Sequence, residues 1–170
     1  MSQRTPPTAH ITTGPFFPAR FIRDEEADLT RGGRAAGTAL ALSGRIRDAE
    51  GTPCVCAVLE LWQADAGGRY GLWGRTWTDK DGAYGFRTIK PGATEGRAPY
   101  IQVSLHASGL MRPLVTVLFF PDEPRNESDP QLRLVPPARR PLLIAKPQGE
   151  GALRFDMALG GANETPFLAD

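Results

Sequence analysis

Ala57-Val-Leu-Glu-Leu-Trp-Gln-Ala-Asp-Ala-Gly-Gly-Arg-Tyr70 and Thr78-Asp-Lys-Asp-Gly-Ala-Tyr-Gly-Phe-Arg-Thr-Ile-Lys-Pro-Gly92 are the two stretches that decide how this chain folds. Leading into the first, Cys54 to Trp62 is apolar at nearly every position, as expected of a central strand covered on both faces. Glu60 interrupts that run; a buried carboxylate needs a partner, and Arg75 or Arg87 can supply one. In the second stretch, Asp79 to Gly82 places Asp and Gly where a tight reversal needs side-chain acceptors and a positive φ. The spacing predicts a hairpin of residues 74–78 with residues 83–89, ended by Lys90-Pro-Gly92.

Outward from this block the pattern is of strands and turns. Nineteen glycines and 16 prolines among 170 residues cut the chain into short apolar runs. Leu40, Leu42, Gly44 and Ile46 share one face of a strand; so do Ile101, Val103 and Leu105, and Leu153, Phe155, Met157 and Leu159. Val115 to Phe120 is apolar at nearly every position and reads as a second central strand. The expected fold is all-β, a two-sheet antiparallel β-sandwich with little helix, the best helical candidate being a short turn at residues 136–140. Residues 36–170 form the sandwich domain and residues 1–35 an extended arm. That arm has no periodicity, yet it carries Phe16, Phe17, Phe21 and Ile22, whose exposure to water is costly enough to predict docking on another chain. The tail from Asn163 to Asp170 is a second candidate contact arm.

At 170 residues the chain has room for one domain with a substantial core. A formal charge of +1, with acids and bases interspersed, speaks against nucleic acid or a membrane surface as partner. Residues 1–10 lack the apolar core of a secretory signal, and the run from Leu114 to Phe120 is too short to cross a bilayer, so a cytoplasmic location is expected. Cys54 and Cys56, two apart on a strand, are poorly placed for a mutual disulfide and have no second ligand pair, which makes them inert thiols.

The Leu-Trp-Gln-Ala-Asp and Gly-Arg-Tyr segment, with the Lys-Pro-Gly turn after it, resembles the core of the intradiol ring-cleavage dioxygenases. Support comes from Thr13-Gly-Pro-Phe16, Leu114 to Phe120 followed by Asn126-Glu-Ser-Asp-Pro130, and the closing Arg154-Phe-Asp with Asn163-Glu-Thr165, so the resemblance runs from about Thr12 to the end of the chain. The resemblance implies a ferric centre held by two tyrosinates and two histidines. Tyr70 stands at the first tyrosinate position, but Tyr100 and Gln102 occupy the expected His-x-His, and no tyrosine follows the Lys-Pro-Gly turn before Tyr100.

Only His10 and His106 are present, and six residues of strand place His106 about 20 Å from Tyr100. Tyr70, Tyr100 and Gln102 are therefore read as degenerate ligand positions, with Tyr70 expected to pack beside Trp62. No metal is expected on this chain. The resemblance implies that it is an α-type subunit, with Fe(III) in a homologous β subunit that cleaves protocatechuate with O2. Gly14, Pro15 and Phe16 are then expected to wall the partner's substrate pocket, with no catalytic residue in this chain. A substrate carboxylate favours a nearby arginine, but Arg112, Arg133, Arg139 and Arg140 serve equally well as surface charges. The alternative is a transthyretin-like β-sandwich binding or structural module, since Gly51-Thr-Pro53 and the Thr78 to Phe86 pattern also occur there. An autonomous site built from Tyr70, Tyr100 and a histidine fails on spacing.

Overall fold

The computed structural model describes residues 17–18, 21–33 and 35–168. Among these residues nine strands form two facing sheets. Strands β1 (Ala39–Arg47), β4 (Ala83–Ile89), β7 (Lys146–Pro147), β8 (Ala152–Arg154) and β9 (Met157–Ala158) make one, in the order β4-β1-β8-β7 with β9 also beside β1. Strands β2 (Val58–Ala64), β3 (Tyr70–Trp77), β5 (Tyr100–His106) and β6 (Leu114–Phe119) make the other, in the order β3-β2-β5-β6. The sandwich is as expected. Most pairs are antiparallel, while β8 and β9 run parallel to β1.

Alternation selects the inner faces. In β1, Leu40, Leu42, Gly44 and Ile46 are buried and the residues between them exposed; in β5, Ile101, Val103 and Leu105 are buried. With Leu59, Leu61, Tyr84, Phe86, Leu118 and Phe155 they form the core between the sheets. Leu153, Phe155, Met157 and Leu159 do line the core side, but on two short strands, because Asp156 breaks off to accept hydrogen bonds from the Arg45 amide and from Arg154.

Three sequence expectations are corrected. Residues 74–78 and 83–89 are not a hairpin: β3 pairs β2 and β4 pairs β1, so the tight turn carries the chain from one sheet to the other. The turn chemistry is as read, with Asp79 Oδ1 accepting from the amides of Asp81 and Ala83 and Gly82 at φ +69°. Local signals place a reversal but not the partners of its arms, and these are chosen by where the apolar faces meet. Second, β2 begins at Val58; Cys54 to Cys56 form a turn with Cys56 at φ +56°, both thiols free, and the Thr78 hydroxyl donates to the Cys54 carbonyl while accepting from the Ala57 amide. Third, β6 is an edge strand, not a central one. It is apolar at every position but Thr116, whose hydroxyl donates to the Pro166 carbonyl, because Leu168 bridges Val115, Ile144 bridges Phe119, and helix α1 (Pro130–Leu134) with the 3-10 turn Pro137–Leu143 covers its outer side.

The other open edge of the sandwich, between β3 and β4, is closed by the chain's own amino-terminal segment. The 3-10 turn Asp24–Ala27 packs on β3, the Leu29 amide donates to the Arg87 carbonyl on β4, and the Leu29 side chain enters the core. Gly74 makes room: a Cβ there would overlap Leu29 Cδ1. Leu29 thus finds its cover on this chain, while Phe21 stays exposed. Within the core, Gln63 is fully buried and ties the sheets together, its amide donating to the Ile89 carbonyl (3.0 Å) and its carbonyl accepting from the Thr88 hydroxyl (2.6 Å).

Gly44 faces the buried Tyr84, whose hydroxyl donates to the Phe155 carbonyl. A Cβ at Gly44 would overlap that carbonyl oxygen and stand 2.7 Å from the Tyr84 hydroxyl, both of them backbone-anchored or tightly held. Gly44→Ala is expected to cost about 2 to 3 kcal/mol as an overpacked core site, read as a lower midpoint in urea unfolding, whereas Ser43→Ala on the exposed face of β1 leaves the midpoint in place.

Candidate functional site

The outer face of the β3-β2-β5-β6 sheet gathers the residues singled out above. Register sets Trp62 between Trp73 and Gln102, and Glu60 between Arg75 and Ser104, while Tyr100 lies beside Phe119. Because alternate residues share a face, Tyr100, Gln102, Ser104 and His106 all stand on this side of β5. Tyr70, at the start of β3, is carried to Tyr100 by an irregularity in the β2–β3 register between Gln63 and Ala64, which leaves the two ring centroids 6.1 Å apart. Tyr70 therefore packs on Tyr100, not on Trp62, whose ring neighbour is Trp73. His106 pairs with Val58, at the far end of the strand from Tyr100.

Two loops support this corner. Asp65 accepts from the amides of Gly67 and Arg69 and from the Arg69 guanidinium, shaping the Gly-Gly turn that delivers Tyr70. These donors hold the Asp65 carboxyl below the ordinary carboxylate range, the Arg69 amide first. On the other side, the Asp129 carboxylate, 1% exposed, accepts from the amides of Ala98, Gln131 and Leu132 and from Arg97 Nε at 2.7 Å. It caps α1 and at the same time steers Arg97, whose guanidinium also donates to Gln131 and lies 4.3 Å from the centre of the Tyr100 ring. Asp129 and Arg97 were not singled out in the sequence. Asp-Pro at 129–130 is the signal available, a residue that caps helices followed by one that starts them.

The electrostatics of the corner favour a neutral Tyr70 phenol. Burial, and behind it the Tyr100 hydroxyl, push the Tyr70 phenol well above its ordinary value near 10, with Arg97 opposing weakly. The corner thus presents two phenols, of which Tyr70 resists ionisation, one carboxamide and one guanidinium. Among the described residues no group of three or more His, Cys, Asp or Glu side chains converges. Glu60 is paired with Arg75 (2.8 Å), which resolves the choice between Arg75 and Arg87. The Arg75 guanidinium is stacked between Phe21 (3.9 Å) and Trp73 (4.8 Å) and donates to the Phe21 carbonyl.

Of the four arginines considered for a substrate carboxylate, Arg139 donates to the Glu164 carbonyl and Arg140 to those of Val135 and Arg133, so both serve the chain's own backbone. Gly14, Pro15 and Phe16 lie outside the described residues.

Family comparison agrees with this geometry. A model of the family described as Dioxygenase matches residues 12–159, most of the chain. The chain belongs to the intradiol ring-cleavage dioxygenase family. It is 34% identical to the protocatechuate 3,4-dioxygenase alpha chain of Pseudomonas putida over 96% of each chain. It is 31% identical to the protocatechuate 3,4-dioxygenase beta chain of Burkholderia cepacia over 90% of this chain and 79% of that one. Among solved structures, the dioxygenase domain of a dioxygenase carbohydrate-binding protein fusion from Streptomyces sp. SirexAA-E superposes with a TM-score of 0.67 at 33% identity, covering 92% of this chain and all of that one. The outer β-sheet corner is thus a corner of an intradiol dioxygenase fold, and the family match over most of the chain stands against a transthyretin-like family.

Two outcomes follow from the corner. Removing the Asp129 carboxylate leaves three backbone amides and a guanidinium short of an acceptor. Asp129→Ala is therefore expected to lose at least about 2 kcal/mol of stability and to release Arg97 from Tyr100, seen as a changed near-ultraviolet circular dichroism spectrum. A Tyr70 phenol that ionises less readily folded than unfolded stabilises fully below about pH 10 and progressively less as pH rises beyond it. The midpoint of thermal unfolding should fall above that pH more steeply in the wild type than in Tyr70→Phe; equal slopes argue against a shielded phenol.

Proposed function

We propose that this chain is the iron-free α subunit of a protocatechuate 3,4-dioxygenase, supporting a homologous β subunit that holds Fe(III) and cleaves protocatechuate with O2 to 3-carboxy-cis,cis-muconate. One observation carries the reading: where the resemblance leads one to look for the metal ligands, the chain offers Tyr70 and Tyr100 packed on each other, with the Tyr70 phenol resisting ionisation, the Gln102 carboxamide and a guanidinium over the Tyr100 ring. Ferric ion is a hard cation that takes anionic oxygen and neutral imidazole. This donor set does not fit it. The nearest imidazole in the strand stands about 20 Å away.

The role left to this chain is structural, and its exposed aromatics support it. Trp62 (41% exposed), Tyr70 (47%) and Trp77 (40%) stand out on one sheet face, with Phe21 exposed alongside. Large amphipathic rings of this kind are enriched at protein interfaces, where an apolar body is buried and a polar edge keeps a partner. End-to-end similarity to alpha chains of protocatechuate 3,4-dioxygenases supports the same reading. The segment with Gly14, Pro15 and Phe16 precedes the Phe21–Arg75 contact, and in this reading it reaches from that anchor toward the partner's substrate pocket.

The test is to purify the chain alone and after coexpression with a β subunit, then measure iron content, the tyrosinate-to-iron absorption band and O2 consumption with protocatechuate. Iron, colour and turnover are expected only in the two-chain complex. Turnover by the lone chain, with stoichiometric iron, rejects the proposal.

A further inference from the structure

On the opposite sheet, away from the aromatic face, the carboxyl end of β1, the β7–β9 region and the turn at residues 137–143 enclose a cleft of about 570 Å³. Four cations line it: Arg45, Arg47, Lys146 and Arg154. Two acids accompany them, and both already have donors of their own. Asp48 Oδ1 accepts from the amides of Glu50 and Thr52, and Asp156 accepts from the Arg45 amide and from Arg154 Nε at 2.8 Å. The side chains of Arg45 and Lys146 make no hydrogen bond or ion pair among the described residues. Arg47 spends one N–H on the Gly51 carbonyl, and a guanidinium has five.

The cleft therefore holds a surplus of positive charge with donors to spare. Its floor is apolar, from Leu142, Ile144, Phe155 and Met157. A volume of this size is in the range of small-molecule sites, where a mostly apolar lining carries a few polar anchors.

We infer that this cleft binds a small organic anion with an apolar body, of the aromatic carboxylate class, with Arg45 and Lys146 as the carboxylate anchors. Charge-assisted donors on two separate strands grip the carboxylate, and the ring lies on the apolar floor. A bare inorganic anion satisfies the donors but leaves that floor wet. The site is independent of the tyrosine corner, and it stands whether or not iron is carried by another subunit.

The test is calorimetric titration of the purified full-length chain with 4-hydroxybenzoate, with inorganic phosphate and phenol as separate arms. Saturable binding of 4-hydroxybenzoate is expected, with phosphate and phenol each much weaker. The double variant Arg45→Gln/Lys146→Met is expected to weaken 4-hydroxybenzoate by about tenfold or more, while Tyr70→Phe leaves it unchanged. Both side chains are exposed and make no hydrogen bond or ion pair among the described residues, and the Arg45 amide that holds Asp156 survives the substitution, so the variant keeps its fold, checked by circular dichroism. Lack of binding by the wild type overturns the inference, as does binding that the double variant does not diminish. Phosphate bound as tightly as 4-hydroxybenzoate overturns the assignment to an aromatic carboxylate.

Discussion

The buried carboxylate of Asp129 is the constraint on which the tyrosine corner depends. A charge removed from water is tolerated only when its lone pairs are filled, and here three backbone amides and one guanidinium fill them. The same bonds cap α1, fix the chain as it enters β5 and hold Arg97 across Tyr100. One side chain thereby couples the cover of β6 to the chemistry of the corner. Arg97 cannot swing away from Tyr100 without unpairing Asp129, and the corner keeps its positive charge for a structural reason.

The sandwich closes both of its open sides with segments that are not sheet. Residues 24–29 seal the gap between β3 and β4, and residues 137–145 lie between β6 and β7. Closure frees the outer faces for different tasks. One presents Trp62, Trp77 and Tyr70, while the other presents Arg45, Arg47, Lys146 and Arg154 around an apolar floor. A formal charge near zero for the whole chain conceals this division, because net charge reports a sum and recognition depends on where the charges stand.

Much of the fold was legible residue by residue. The alternation of Leu40, Leu42, Gly44 and Ile46 and of Ile101, Val103 and Leu105 named the buried faces, since a strand turns successive side chains to opposite sides. The Asp79 to Gly82 reversal was visible in its residue types. Which sheet each arm joined was not, because the choice rests on Leu29, Gln63 and Thr88, which meet across long sequence separations. Nearly continuous apolar composition in Val115 to Phe120 suggested a central strand, and burial on both faces is correct; on one side the cover is helix and loop instead of a neighbouring strand. At the candidate site, Tyr70, Tyr100 and Gln102 were named in advance, while Asp129 and Arg97 were passed over as one acid and one base among many.

The sequence by itself determined the strand-rich architecture, the family and the scarcity of imidazole, because these depend on local periodicity, on ordered motifs and on which residue types exist at all. Only the tertiary structure decided that Tyr70 packs on Tyr100, that Arg97 is held over that ring by Asp129, and that the cations of β1, β7 and β8 surround one cleft. Those arrangements join residues 30 to more than 100 positions apart, and side chains so distant in the chain become neighbours only when two sheets are pressed together to bury their apolar faces.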